Sequence, residues 1–330
     1  MRVLLLGGSG LLSAATVRAF VRAEADVTVV SRGRRPVPDG VTALVADRSE
    51  PESMRAALRG RAFDFTVDFL AYDAQDVEAL FHEPIAALGR FVMISTGQVY
   101  LVTESPQPPF SEESADRPLM PEPPGGSPDH GEWSYGVGKR RAESALMRLR
   151  SSHGVRSVAL RLPVVQGVED HSRRLWAYLE RMLDGGPVIL PEGGEQRVRF
   201  VWNEDVARSL VRLAQSADWP SERALNLAQP DEPTLLEFLT VAGGVLGASP
   251  RFVARSWEQI AQAGLDRSMS PYSGPWCSRP DPWRAAALLG GPCTSSALYL
   301  PALVRAQRET GGPSHPGYAG RAAELKLAGG

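Results

Sequence analysis

Tyr135 and Lys139 stand four residues apart in Tyr135-Gly-Val-Gly-Lys139, a spacing that puts a phenol and an ammonium on one face of a helix. A tyrosine with a pKa near 10 is no base at neutral pH, but an adjacent cation favours the phenolate. The pair therefore reads as a proton-transfer unit, with Tyr135 as acid or base. A second feature is Gly7-Gly8-Ser9-Gly10-Leu11-Leu12-Ser13, which directly follows the apolar run Arg2–Leu6 and opens a helical pattern. Glycines let the backbone turn tightly against a pyrophosphate, and a helix N-terminus supplies N–H groups and a positive dipole end. Gly7, Ser9, Gly10, Leu11 and Leu12 are the expected dinucleotide contacts. Ser13 stands where a third glycine is usual and is expected to loosen the helix–sheet packing slightly.

The adenosine end carries its own signal. An acid after the second strand holds the ribose of NAD, whereas an arginine accommodates the 2′-phosphate of NADP. Here the sequence is Ser31-Arg32-Gly33-Arg34-Arg35, with no acid. A guanidinium grips a phosphate with two charge-assisted bonds, so Ser31 and Arg32 favour NADP over NAD. Asp47 and Arg48, past the third strand, fall where an adenine edge would lie.

These residues need a frame that brings them together. Arg2–Leu6, Asp26–Ser31, Thr42–Ala46, Phe65–Ala71, Phe91–Ser95 and Ser157–Leu162 read as strands. Helical patterns alternate with them: one carrying Leu12, Thr16, Ala19 and Phe20, then Pro51–Leu58, Gln75–Leu88 and Trp133–Arg150. Strands separated by such helices require right-handed crossovers and a parallel sheet covered on both faces. The fold class is α/β, a doubly wound parallel sheet (Rossmann) with a smaller, mixed α/β C-terminal substrate domain. Residues 1–165 with 198–228 are expected to form the dinucleotide-binding domain, 166–197 with 229–310 the substrate domain, and 311–330 a peripheral tail. The segment Leu101–His130 holds eight prolines and little periodicity, and a loop of that length suits an active-site lid.

Composition narrows the class. The chain has 330 residues, 43% hydrophobic and 22% charged, with a formal net charge of −2, so nothing draws it toward nucleic acid or an anionic membrane. No apolar run approaches the ~20 residues of a membrane span. Cys277 and Cys293 make no disulfide framework and suggest a reducing cytoplasm. The five histidines show no ligand spacing, and no metal site is expected. The absence of Gly-x-Ser-x-Gly excludes an α/β-hydrolase elbow. Lys139 and Lys326 are the only lysines, so a motif that needs one has two places to sit.

The chain resembles the extended short-chain dehydrogenase/reductase superfamily, in its NAD(P)-dependent epimerase/dehydratase-like branch. The likeness rests on the Gly7–Gly10 turn, Phe91–Tyr100 (FVMISTGQVY), Tyr135-x-x-x-Lys139, Arg161–Gly167 (RLPVVQG) and Asn203–Ala207 (NEDVA). It implies that Thr96 orients the reacting oxygen, Tyr135 moves the proton, and Lys139 holds the nicotinamide ribose while lowering the tyrosine pKa. Leu70 and Ala71 would wall the pyrophosphate side, and Pro163 the nicotinamide end. The family's 4,6-dehydratases carry Asp-Glu right after the threonine; here Gly97 and Gln98 stand there, which argues against sugar dehydration. Gln98, Gln166, Asp170 and Arg199 are the candidate substrate contacts. Relatives often dimerise through the helix carrying the Tyr-x-x-x-Lys motif, so a homodimer is the expected oligomer.

The implied activity is hydride transfer at a carbinol carbon of a sugar-derived, nucleotide-linked small molecule. One alternative is an NADPH-dependent reductase of a small carbonyl substrate. Another is a non-catalytic NADP-binding or RNA-associated module, against which Thr96, Tyr135, Lys139 and the mildly acidic charge balance count.

Overall fold

The computed structural model describes residues 1–8, 10–81 and 86–329. In chain order the elements begin β1 (Arg2–Leu6), α1 (Leu11–Arg22), β2 (Asp26–Ser31), β3 (Thr42–Val45), α2 (Pro51–Leu58), β4 (Phe65–Asp68) and α3 (Ala74–Phe81). They continue with β5 (Arg90–Thr96), α4 (Gln98–Leu101), α5 (Pro128–His153), β6 (Ser157–Leu162), β7 (Val164–Gln166), α6 (Arg174–Leu183) and β8 (Val188–Pro191). Next come β9 (Phe200–Trp202), α7 (Asn203–Gln215), β10 (Ala224–Asn226), α8 (Leu235–Leu246), β11 (Phe252–Arg255) and α9 (Trp257–Gln262). The chain closes with α10 (Trp283–Leu288), α11 (Ser296–Thr310) and α12 (Arg321–Gly329).

Two compact units result. The first comprises 1–165, 201–228 and 278–293. Its seven-stranded sheet runs β10-β6-β5-β4-β1-β2-β3, every pair parallel. Side chains alternate across it as the period of two requires. Val3 and Leu5 enter one core with Val17 and Phe20 of α1 and Val206 and Leu210 of α7. Leu4 and Leu6 enter the other, with Met54 of α2, Val77 of α3 and Ala142 and Leu146 of α5. Burial on both faces is why these strands read as unbroken apolar runs.

The second unit comprises 166–200, 229–277 and 294–330. It contains the parallel pair β8–β11 and an aromatic cluster in which Phe200 lies 5.0 Å from Phe238 and 4.7 Å from Tyr272. Among the described residues no helix is long and apolar enough to cross a membrane.

Four expectations change. Segment 278–293 packs with the first unit, because Ala285 and Leu289 insert into its core. The tail is not peripheral: Glu324 of α12 is fully buried and pairs with Arg181 of α6, 2.8 Å from Nε. Arg321 joins it, bonding Asp184 Oδ2 at 2.6 Å. The proline-rich segment is anchored rather than lid-like. Within it Glu112 is 4% exposed, its carboxylate accepting the Asn226 N–H at 3.0 Å, while the Phe110 carbonyl accepts from Asn226 Nδ2 at 2.9 Å. α5 also starts earlier than expected, because the Ser127 hydroxyl accepts the His130 N–H (3.2 Å) and Pro128 needs no acceptor in the first turn.

Candidate active site

The strand order reverses between β1 and β4, and ligands of open α/β sheets bind outside the carboxyl ends of the strands at such a point. Gly7 leaves β1 with φ of 94°, a conformation that favours glycine, and its N–H donates to the Val30 carbonyl at 2.8 Å. A Cβ at Gly8 would collide with Val29 Cγ1, so the turn lies tight on β2. Gly10 caps α1, followed by Leu11 and Leu12 in its first turn. The Gly10 N–H donates to Ser13 Oγ at 2.9 Å, and the Ser13 hydroxyl donates back to the Gly10 carbonyl at 3.3 Å. Ser13 therefore tightens the helix start. The first turn of α1 carries no acid, so the N–H groups and dipole of this helix end suit an anion such as a pyrophosphate. Ser9 lies outside the described residues.

Past β2, Ser31 Oγ accepts the Gly33 N–H at 3.3 Å, and Arg32 and Arg34 are exposed. Asp47 accepts the Ser49 hydroxyl and N–H at 2.7 and 3.0 Å. Those bonds, with a smaller contribution from Arg32 and Arg34, hold its carboxyl below the usual carboxylate range. Arg48, expected at the adenine edge, is instead turned inward. It donates to Asp68 Oδ1 at 2.7 Å and to the Asp76 carbonyl at 2.5 Å. Asp68 ends β4 with no exposure, and a buried carboxylate requires such a partner. Its Oδ1 also accepts the Leu70 N–H at 2.8 Å, shaping the segment that carries Leu70 and Ala71.

Lys139 is 2% exposed on α5. Its Nζ donates to the Ala71 carbonyl at 2.6 Å and the Ile94 carbonyl at 2.9 Å, tying the loop after β4 to β5. Burial pushes its pKa down from 10.5 to about 8, opposed by the charges of Asp68 and Glu143. The ammonium lies 4.8 Å from the Tyr72 ring centroid and 5.9 Å from that of Tyr135. Tyr135 is 36% exposed, so its ring meets solvent. Both glycines of the motif are places of close approach. A Cβ at Gly136 would lie 2.6 Å from Val102 Cγ1, and one at Gly138 2.5 Å from the Tyr72 carbonyl oxygen.

Thr96 closes β5, buried, its Oγ1 accepting the Gln98 N–H at 3.2 Å. Gln98 donates from its amide to Glu132. A Cβ at Gly97 would lie 2.6 Å from Ser278 Cβ, so a side chain there would have to displace Ser278. Pro163 is buried just past β6. The structure thus brings the glycine turn, Ser31, Arg32, Asp47, Leu70, Ala71, Thr96 and Pro163 to the carboxyl ends of β1 to β6, with Lys139 reaching in from α5.

Of the remaining substrate candidates, all in the second unit, Gln166 is 1% exposed and its amide is closed on the Tyr272 hydroxyl at 2.8 and 3.2 Å. It serves the interior instead of facing a substrate. Arg199 is buried, with NH2 3.8 Å from Glu232 Oε2. Asp170 accepts the Ser172 N–H at 3.0 Å at the turn leading into α6.

Glu143, one turn beyond Lys139, escaped the sequence reading. It accepts the Ser95 hydroxyl at 2.5 Å and is gripped by Arg161 from β6. Arg161 also donates to the Tyr100 hydroxyl at 3.0 Å and the Glu112 carbonyl at 2.6 Å. Its spacing from Lys139 was the available signal, an acid continuing the Tyr135–Lys139 face.

A doubly wound sheet with a glycine turn at its switch point, and a tyrosine–lysine pair beside the next strands, defines a dinucleotide-binding α/β protein. The model of the NAD dependent epimerase/dehydratase family matches residues 3–228, and the chain belongs to that family. Among curated proteins it is similar to a 2'-dehydrokanamycin reductase of Streptomyces kanamyceticus, 26% identical over 219 residues, 64% of this chain and 58% of that protein. It is also similar to the chloroplast stem-loop binding protein of 41 kDa b of Arabidopsis thaliana, 22% identical over 227 residues, 64% of this chain and 54% of that protein. The chain thus spans less than two thirds of the length of these relatives. A solved UDP-glucuronic acid 4-epimerase from Bacillus cereus, in complex with NAD, shares the fold: TM-score 0.69, 17% identity, covering 96% of this chain and 100% of that one.

Proposed function

We propose that the protein is an NAD(P)-dependent oxidoreductase acting by hydride transfer at a carbinol carbon of a sugar-derived substrate. The observation that carries this reading is Lys139, a buried ammonium held by the carbonyls of Ala71 and Ile94 and facing the Tyr135 ring. A cation so placed favours the phenolate form of a neighbouring tyrosine. Tyr135 then takes a proton from the substrate hydroxyl, or returns it to the carbonyl oxygen, while Thr96 hydrogen-bonds the same oxygen. The glycine turn and the α1 N-terminus fit a dinucleotide pyrophosphate, and Leu70 and Ala71 wall it. When bound, the nicotinamide supplies the hydride acceptor or donor.

The exposed Arg32 with Ser31 supports NADP in preference to NAD, by paired bonds to a 2′-phosphate. Solved neighbours named as UDP-sugar epimerases support a nucleotide-linked sugar with a retained cofactor. The relative named as a reductase supports the second version, in which NADPH exchanges and a carbonyl is reduced once. Identifying the nucleotide released when the purified protein is denatured separates them. Stoichiometric oxidised cofactor means epimerisation; an empty protein that binds NADPH reversibly means reduction. A protein that binds neither nucleotide would refute both.

A further inference from the structure

Beside the tyrosine–lysine pair stands a second exposed ring, that of Tyr72, in the segment between β4 and α3. The backbone that carries it is held on three sides. The Ala71 carbonyl accepts from Lys139 Nζ at 2.6 Å, and the Tyr72 N–H donates to Asp76 Oδ2 at 2.8 Å. The Tyr72 carbonyl lies so near α5 that a Cβ at Gly138 would come within 2.5 Å of its oxygen. On this fixed backbone the residue is still 52% exposed.

The ring forms a triangle with the pair. The Lys139 ammonium lies 4.8 Å from the Tyr72 centroid and 5.9 Å from that of Tyr135, and the two centroids are 6.3 Å apart. Around the ammonium, Ala71 is fully buried and Ile94 is 8% exposed, whereas both tyrosines meet solvent. Lys139 itself is almost entirely buried. Its cover on the solvent side is therefore aromatic, and Tyr72 is the nearer half of that cover.

Two of the three ammonium protons go to the carbonyls of Ala71 and Ile94. The negative face of a ring attracts the cation where water would otherwise stand. Excluding that water strengthens the Coulomb interaction between Lys139 and Tyr135, since it grows as the effective dielectric falls from ~80 toward ~20. The neighbouring charges act differently. Asp68 on β4, Asp76 on α3 and Glu143 on α5 favour the ammonium and Arg48 opposes it, while Asp68 and Glu143 are themselves engaged by Arg48 and Arg161. Asp73, next to Tyr72, bonds to Arg141 at 3.4 Å.

We propose that Tyr72 is a positioning residue for the proton-transfer step: its ring, and not its hydroxyl, covers the Lys139 ammonium and keeps water from between it and Tyr135. This role presupposes that Tyr135 and Lys139 act as a pair. Removing the ring lets water in, with two effects of one sign. The burial that lowers the lysine pKa is relieved, and Tyr135 is screened from the charge that helps it ionise. The pair then gives up its first proton at higher pH. The lost attraction of the ring for the cation acts the other way and is the smaller, because burial is the largest influence on the lysine.

Lys139 and Lys326 are the only lysines, so the full-length protein labelled with ¹³C at the lysine ε-carbon gives two lysine signals by NMR, told apart with Lys326→Arg. The Lys139 signal is expected to titrate with a midpoint of about 8. Tyr72→Phe should keep that midpoint. Tyr72→Ala should raise it by about one unit or more, a tenfold change in proton affinity, and Tyr72→Leu, a milder truncation, should move it in the same direction. A midpoint that stays or falls in both truncations, or that moves as far in Tyr72→Phe, overturns the proposal. Tyr135→Phe keeps the two readings apart, since it retains the ring and removes the phenol: the Lys139 midpoint should change because the two groups titrate together. No change there would defeat the proton-transfer pair itself, whereas an unmoved midpoint in the Tyr72 truncations alone defeats only the role of Tyr72.

Discussion

The Glu143 carboxylate and the Arg161 guanidinium meet through three hydrogen bonds of 2.6, 3.0 and 3.2 Å, one helical turn beyond Lys139. Their side chains are 12% and 3% exposed, so each neutralises a charge that water cannot reach. Removing one partner of such a pair costs about 3–5 kcal/mol, because the other is left buried and uncompensated. Glu143→Ala should lose that much in urea denaturation. Glu143→Ala with Arg161→Met together should recover part of it; a double variant as unstable as the sum of the singles would remove the pair as the cause.

Tyr135→Phe should leave nucleotide binding nearly unchanged and lower turnover by about 10²–10⁴, the usual contribution of a positioned acid or base. Retention of most activity would dismiss the proposed proton transfer.

Burial lowers the Lys139 pKa from 10.5 to about 8. Below pH 8 folded and unfolded chains both hold the proton, and the burial penalty is fully present. Between the two values the folded protein releases it first, so the unfolded chain binds more protons and stability rises with pH. Measured against Lys139→Met, wild-type stability should gain about 3 kcal/mol from pH 8 to 10.5. A difference between the two proteins that stays flat over that range would contradict it.

A glycine inside a helix normally costs roughly 1 kcal/mol relative to alanine. At Gly138 the order should invert, because the added Cβ would lie 2.5 Å from the Tyr72 carbonyl oxygen. Gly138→Ala is expected to lower the melting temperature, whereas a rise would mean that α5 stands off from the loop after β4.

Arg32→Ala should weaken NADP binding by about tenfold or more, the cost of losing charged hydrogen bonds, and leave NAD binding in place. Equal losses for the two dinucleotides, read by fluorescence titration, would exclude a 2′-phosphate contact.

The alternation of strands and helices was legible in the sequence because strands buried on both faces must be apolar throughout, while the crossing helices show one apolar stripe. The glycine turn was legible for a similar reason: the φ of 94° at Gly7 is a local demand that one residue type meets. Tyr135 and Lys139 could be paired because helical geometry fixes which positions share a face.

Tertiary structure alone decided the rest. An arginine after a strand looks the same whether it meets a phosphate or, as Arg48 does, a buried carboxylate 20 residues further on. Gln166 found the Tyr272 hydroxyl 106 positions away, and Glu324 drew the glycine- and proline-rich end of the chain onto Arg181. None of these partnerships leaves a period or a turn signal in the chain. Each was settled by which polar groups burial forced to find one another.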